Sequence, residues 1–81
     1  MAKTFHATIA KVGENLFNGE VISLTLPGAS GVLTVLANHA PLVCELKAGQ
    51  IEIKATDGTA QSVLVERGVL EVSSNQATVL L

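Results

Sequence analysis

Gln50-Ile51-Glu52-Ile53-Lys54-Ala55-Thr56-Asp57-Gly58-Thr59-Ala60-Gln61-Ser62-Val63-Leu64-Val65 sets two alternating runs on either side of Asp57-Gly58. Ile51 and Ile53 fall on one side of a two-residue period, and Gln50, Glu52 and Lys54 fall on the other. Past Asp57-Gly58, Val63 and Val65 oppose Ser62, Leu64 and Glu66. Successive side chains point to opposite faces of a strand, so each half reads as a strand with one face turned to a core. Asp57-Gly58 supplies the positive φ values of a type I′ turn, and the two halves are expected to pair as a hairpin.

The same pattern extends in both directions. Ile22, Leu24 and Leu26 share a face opposite Ser23 and Thr25. Val32-Leu33-Thr34-Val35-Leu36 is apolar on both sides, which suits either a central strand covered on both faces or one that turns an apolar side to another subunit. Strands are predicted near 4–12, 20–26, 32–36, 42–46, 50–55, 61–66, 69–73 and 76–81. Between them stand Gly13-Glu14-Asn15, Asn18-Gly19, Pro27-Gly28, Ser30-Gly31, Asn38, Pro41, Gly49, Gly68 and Ser73-Ser74-Asn75. Pro27-Gly28 fits the two central positions of a type II turn. Asn38-His39-Ala40-Pro41-Leu42-Val43 reads as a tight reversal between strand runs. Helical periodicity, internal repeats and linkers are missing. One all-β domain over residues 1–81, a sandwich or barrel, is the expectation.

Composition points away from several functions. The chain of 81 residues has 48% hydrophobic and 15% charged residues. An average soluble domain carries about 25% charged residues, so this surface has little charge, and part of it is expected to lie against a partner. No run approaches the roughly 18 apolar residues of a membrane-spanning helix. The net charge is -2, and Lys3, Lys11, Lys47, Lys54 and Arg67 are scattered, which argues against nucleic acid. Cys44 is alone, so no internal disulfide forms. Met1-Ala2-Lys3-Thr4-Phe5-His6 has no secretory pattern, and an intracellular chain is expected.

Few residues here suit chemistry. A metal centre would need a third and fourth ligand beside His39 and Cys44, and neither follows at metal-site spacing. Cys44 lies in the apolar run Leu42-Val43-Cys44-Glu45-Leu46, where it reads as a small packed hydrophobe. His39 reads as a turn residue bonded to backbone, and His6 as a surface strand residue. Gly28-Ala29-Ser30-Gly31 lacks the helix that a phosphate cradle requires. Glu66-Arg67 suits a local ion pair. The carboxylates form no close pair in sequence. A binding module is therefore favoured over a small enzyme using Cys44 and His39, and over a self-associating β-domain.

Five fragments in order make the reading specific. They are Leu16-Phe17-Asn18-Gly19-Glu20-Val21, Leu26-Pro27-Gly28-Ala29-Ser30-Gly31, Val35-Leu36-Ala37-Asn38-His39-Ala40-Pro41-Leu42-Val43, Leu46-Lys47-Ala48-Gly49-Gln50-Ile51 and Val65-Glu66-Arg67-Gly68-Val69-Leu70-Glu71-Val72. Together they resemble the N-terminal β-domain of the epsilon subunit of F-type ATP synthases, called delta in mitochondria. The resemblance implies a flattened sandwich of two antiparallel sheets. It implies a non-catalytic central-stalk subunit that docks on the gamma subunit and the c-ring, with no cofactor, metal or small-molecule substrate. Its place would be peripheral, on the cytoplasmic face of the bacterial inner membrane or the equivalent organellar face. The segment His39, Ala40, Pro41, Leu42 and Val43 would lie against gamma, and Ala29, Ser30, Gly31 and Val32 would approach the c-ring. Three residues depart from the family pattern. Val32 stands at a usually acidic position facing the ring, Ala37 where Pro is frequent, and Arg67 where a small residue is common. The family's C-terminal helical hairpin has no counterpart in these residues, so neither inhibition nor nucleotide binding is expected of them.

Overall fold

The computed structural model describes residues 3–81. The strands are β1 (Phe5–Lys11), β2 (Glu14–Gly28), β3 (Gly31–Leu36), β4 (Leu42–Leu46), β5 (Gly49–Ala55), β6 (Ala60–Val65), β7 (Gly68–Ser73) and β8 (Gln76–Leu80). No helix occurs among the described residues. The principal extents are 34 × 24 × 20 Å, a somewhat elongated body.

The all-β expectation holds and a sandwich is compatible with the pairing, apart from one strand pair that is not antiparallel. All eight strands belong to one hydrogen-bonded network, because β2 takes part in both halves. The first part of β2 pairs with β1, and its second part lies between β3 and β5. On the far side the order runs β1, β8, β7, β4, and β4 returns to β2 at Gly28↔Leu46. Nor is the pairing wholly antiparallel, since β1 and β8 run parallel from His6↔Gln76 to Ala10↔Leu80. Parallel neighbours need a long connection between them, and here nearly the whole chain supplies it.

Register assigns the core. Directly paired residues share a face, so Cys44, Leu70, Val79, Ile9 and Phe17 form one inward row across β4, β7, β8, β1 and β2. Leu42, Val72, Ala77 and Ala7 form the next. On β3, β2 and β5 the inward residues include Val35, Leu24 and Ile53. Phe5, Leu24, Leu26, Ile51, Ile53 and Leu70 are essentially sealed from solvent. Each such side chain stabilises the fold by roughly 1.5–3 kcal/mol relative to exposure. The core holds no buried polar or charged residue among those described.

Bulges and turns account for the differences from the sequence reading. Ile22 was assigned to the core with Leu24 and Leu26, but Val21 takes that place and Ile22 is only half-buried. The register shift between Val21 and Ser23 against β5 inserts one residue and moves the inward phase. A second shift, at Ile9/Ala10, leaves Leu16 as the extra residue, and β2 runs on through Asn18-Gly19. The reversal expected at Pro27-Gly28 falls instead at Ala29-Ser30, because Pro27 pairs with Val32 and Gly28 with Gly31. A two-residue loop puts Gly28 and Gly31 at a hydrogen-bonded pair and Pro27 at a non-bonded one, where a missing N–H does not break the β2–β3 ladder. Asp57-Gly58 is not a type I′ turn. Only Gly58 has positive φ, at 88°. The Gly58 N–H donates to Ala55 O and the Ala55 N–H to Thr59 O, which closes a three-residue loop ending in a glycine bulge. The turn with two positive φ values is Ser74-Asn75, at 51° and 60° between Ser73 and Gln76.

Candidate docking surface

Short strand β4 carries one predicted patch at each end. It spans 5 residues, so its ends lie about 13 Å apart at strand rise. At its start, Asn38 adopts a left-handed φ of 63° and turns the chain. The His39 N–H donates to Leu36 O at 3.2 Å. His39 Nδ1 lies 2.7 Å from Ala40 O, and since a carbonyl only accepts, Nδ1 carries the proton there. This is the backbone-bonded turn histidine expected from sequence. Ala40 and Pro41 are exposed, and Val43 is 69% exposed. Leu42 alternates inward and packs against the core, so it lies largely beneath the surface patch.

At the other end of β4, the Ala29 N–H donates to Glu45 O and the Lys47 N–H to Pro27 O, each at 2.9 Å. These bonds seat the β2–β3 turn beside β4. Ala29, Ser30, Gly31 and Val32 are all exposed, Val32 at 74%. They edge an open depression of about 440 Å³ that Cys44 and Glu45 also line. Val32-Leu33-Thr34-Val35-Leu36 pairs only with β2, turning Leu33 and Val35 toward the core and leaving Val32 and Leu36 exposed. The second of its two sequence readings, a strand with one apolar side open, therefore fits.

Sequence reasoning missed two surface residues. The outward rows across β4, β7, β8 and β1 read Val43, Glu71, Thr78, Thr8 and then Glu45, Val69, Leu80, Ala10. Val69 and Leu80 are direct neighbours, and Val43 lies diagonal to Val69 on the same face. Val69 and Leu80 are 42% and 59% exposed. The signal was present in the alternation: once Leu70, Val72 and Val79 point inward, Val69 and Leu80 point out.

Little on this surface suits bond-making. Cys44 is half-buried and packs against the core, and no hydrogen bond joins it to His39 among the described residues. The described residues contain no cluster of three or more His, Cys, Asp or Glu able to hold a metal ion. His6 Nδ1 lies 3.1 Å from Glu20 Oε2, across the β1–β2 pair. Lys11 pairs with Glu14 at 3.6 Å, while Glu66 and Arg67 form no ion pair. The Thr59 hydroxyl and N–H donate to Asp57 Oδ1 at 2.6 and 2.9 Å, and these bonds hold the Asp57 carboxyl below its ordinary range.

Comparison with known proteins agrees with this architecture. The ATP synthase epsilon chain of Delftia acidovorans is 39% identical over 77 residues, covering 95% of this chain and 56% of that one. The epsilon chain of Nitratiruptor sp. is 46% identical over 66 residues, covering 82% of this chain and 51% of that one. The chain thus spans about half the length of these relatives. A chain in the Euglena gracilis mitochondrial ATP synthase, solved as an OSCP/F1/c-ring assembly, superposes with a TM-score of 0.89 at 20% identity, covering 95% of this chain and 49% of that one. A chain of the Tetrahymena thermophila central stalk and c-ring superposes with a TM-score of 0.80 at 13% identity, covering 96% of this chain and 63% of that one. The profile of the ATP synthase delta/epsilon chain β-sandwich domain matches residues 4–81, and the chain belongs to that family.

Proposed function

We propose that this chain is the β-sandwich part of a non-catalytic ATP synthase epsilon subunit, a single folded unit held in the central stalk between gamma and the c-ring. In this role it transmits ion-driven rotation and makes or breaks no covalent bond. The observation that carries the reading is family membership over residues 4–81 joined to an apolar, weakly charged surface at both ends of β4. The corner of His39, Ala40, Pro41 and Val43 forms the gamma side. The turn of Ala29, Ser30, Gly31 and Val32 forms the c-ring side. With Val32 in place of an acidic residue, the ring contact is apolar. Membrane association then comes only through the complex, on the face that bears the catalytic head. The test is reconstitution of the full chain with an ATP synthase stripped of its epsilon subunit. Restored ATP-driven ion pumping and co-purification with gamma are expected. Unchanged pumping together with no co-purification overturns the proposal.

A further inference from the structure

We infer that Asn75 is the positioning residue of the docking corner, a clamp that fixes the left-handed kink at Asn38 and thereby aims His39, Ala40 and Pro41. The inference rests on the docking role proposed above and adds the device that sets that surface. Asn75 makes polar contacts with segments far apart in the chain. Its Oδ1 accepts the Asn38 N–H at 2.7 Å. Its Nδ2 donates to Thr4 O at 3.0 Å. Its own carbonyl accepts the His6 N–H at 3.3 Å. One residue thus ties the β7–β8 turn, the start of β1 and the β3–β4 connection into a single junction.

The conformations give this junction its purpose. Asn38 and Asn75 both hold left-handed φ values, 63° and 60°. Asparagine enters that region more readily than other non-glycine residues, and hydrogen bonds to its neighbours fix it there. The kink at Asn38 is imposed from two sides: the His39 N–H bonds back to Leu36 O, and the Asn38 N–H is held by Asn75. Without the second bond the Asn38 amide turns to water, and the corner loses its side-chain tie to the β7–β8 turn. The junction continues outward. Thr4, whose carbonyl Asn75 holds, donates its hydroxyl to Glu20 Oε1 at 3.0 Å, and Glu20 also meets His6. The corner is therefore braced through β1 onto β2, the strand shared by both halves of the fold.

Two substitutions separate the clamp from the turn. Asn75→Gly keeps a residue at ease with left-handed φ but deletes both side-chain bonds. Asn75→Asp keeps an Oδ1 acceptor for Asn38 but replaces the donor to Thr4 O with a carboxylate oxygen, which that carbonyl repels. Amide hydrogen exchange is measured in the full chain, with gamma binding measured in parallel. Asn75→Gly is expected to speed Asn38 exchange roughly fivefold, the worth of one ordinary hydrogen bond, while the Leu70 and Val79 amides stay protected. Gamma binding falls with it, while Asn75→Asp, with its acceptor intact and the Thr4 tie broken, exchanges Asn38 more slowly than Asn75→Gly and keeps more of the gamma binding. The inference is overturned if Asn75→Gly leaves Asn38 exchange unchanged, or speeds it while gamma binding stays at the wild-type level. A wild-type chain that ignores gamma overturns the docking role instead, and the exchange measurement, which needs no partner, still decides the clamp.

Discussion

Gly68 shows how a single missing Cβ lets strands close up. It pairs with Leu46, and a Cβ built there would lie 2.7 Å from both Leu80 O and the Leu81 side chain. Its φ is not in the left-handed region, so close approach alone demands glycine. Gly68→Val is expected to cost about 1–3 kcal/mol by overpacking. Thermal unfolding should register this as a fall of roughly 4–8 °C per kcal/mol for a domain of this size. An unchanged melting temperature would show that the strands can part there at no cost. Asp57 acts at the same scale but through charge. Its folded pKa lies below the ordinary 3.8, chiefly because the Thr59 hydroxyl donates to the carboxylate, with the Thr59 N–H second. A lowered folded pKa gives stability that is complete above the ordinary value and is lost as pH falls through the folded one. NMR titration should place the Asp57 midpoint below 3.8 in the wild type and nearer 3.8 in Thr59→Ala. Equal midpoints would contradict the bonding in this turn.

At the scale of strands, alternation carried most of the information. The spacing of Ile51, Ile53, Val63 and Val65 located β5 and β6 and their inward faces, and the core is built as expected there. What alternation could not reveal is an inserted residue. The extra residue at Ile22 leaves composition untouched yet reverses the phase of β2. Turn chemistry was legible as punctuation but not as type: Pro27-Gly28 and Ser74-Asn75 both announce reversals, and only the partner strand's register fixes where the chain turns. The pairing of β1 with β8 joins the two ends of the chain, so no local pattern could specify it. The two proposed docking patches rest on the family resemblance, and the residues supply only their low charge. The inward and outward assignments make a paired prediction. Leu24→Ala should cost about 2–5 kcal/mol in denaturant unfolding, because it empties part of a sealed core. Leu64→Ala should cost no more than about 0.5 kcal/mol, since that side chain is 77% exposed. Similar losses at the two sites would mean that β2 and β6 face the wrong way.

For the whole molecule, burial and charge are divided between interior and surface. Among the described residues no charged side chain is buried in the interior. Val32, Val43, Val69 and Leu80 add exposed apolar area that the fold itself does not need. In the proposed role a small body of this kind works by contact, through a patch at either end of β4. The most direct test of that claim is the affinity of gamma for the chain with Val43→Lys. Val43 lies opposite Glu71 and beside exposed Glu45 on the same face, so a lysine there meets opposite charge and leaves the free fold intact. In a docked corner the same ammonium must lose its water against an apolar partner. A loss of about tenfold or more in gamma affinity, about 1.4 kcal/mol, is expected, with the melting temperature held within a few degrees. Wild-type affinity in the folded Val43→Lys chain would contradict it.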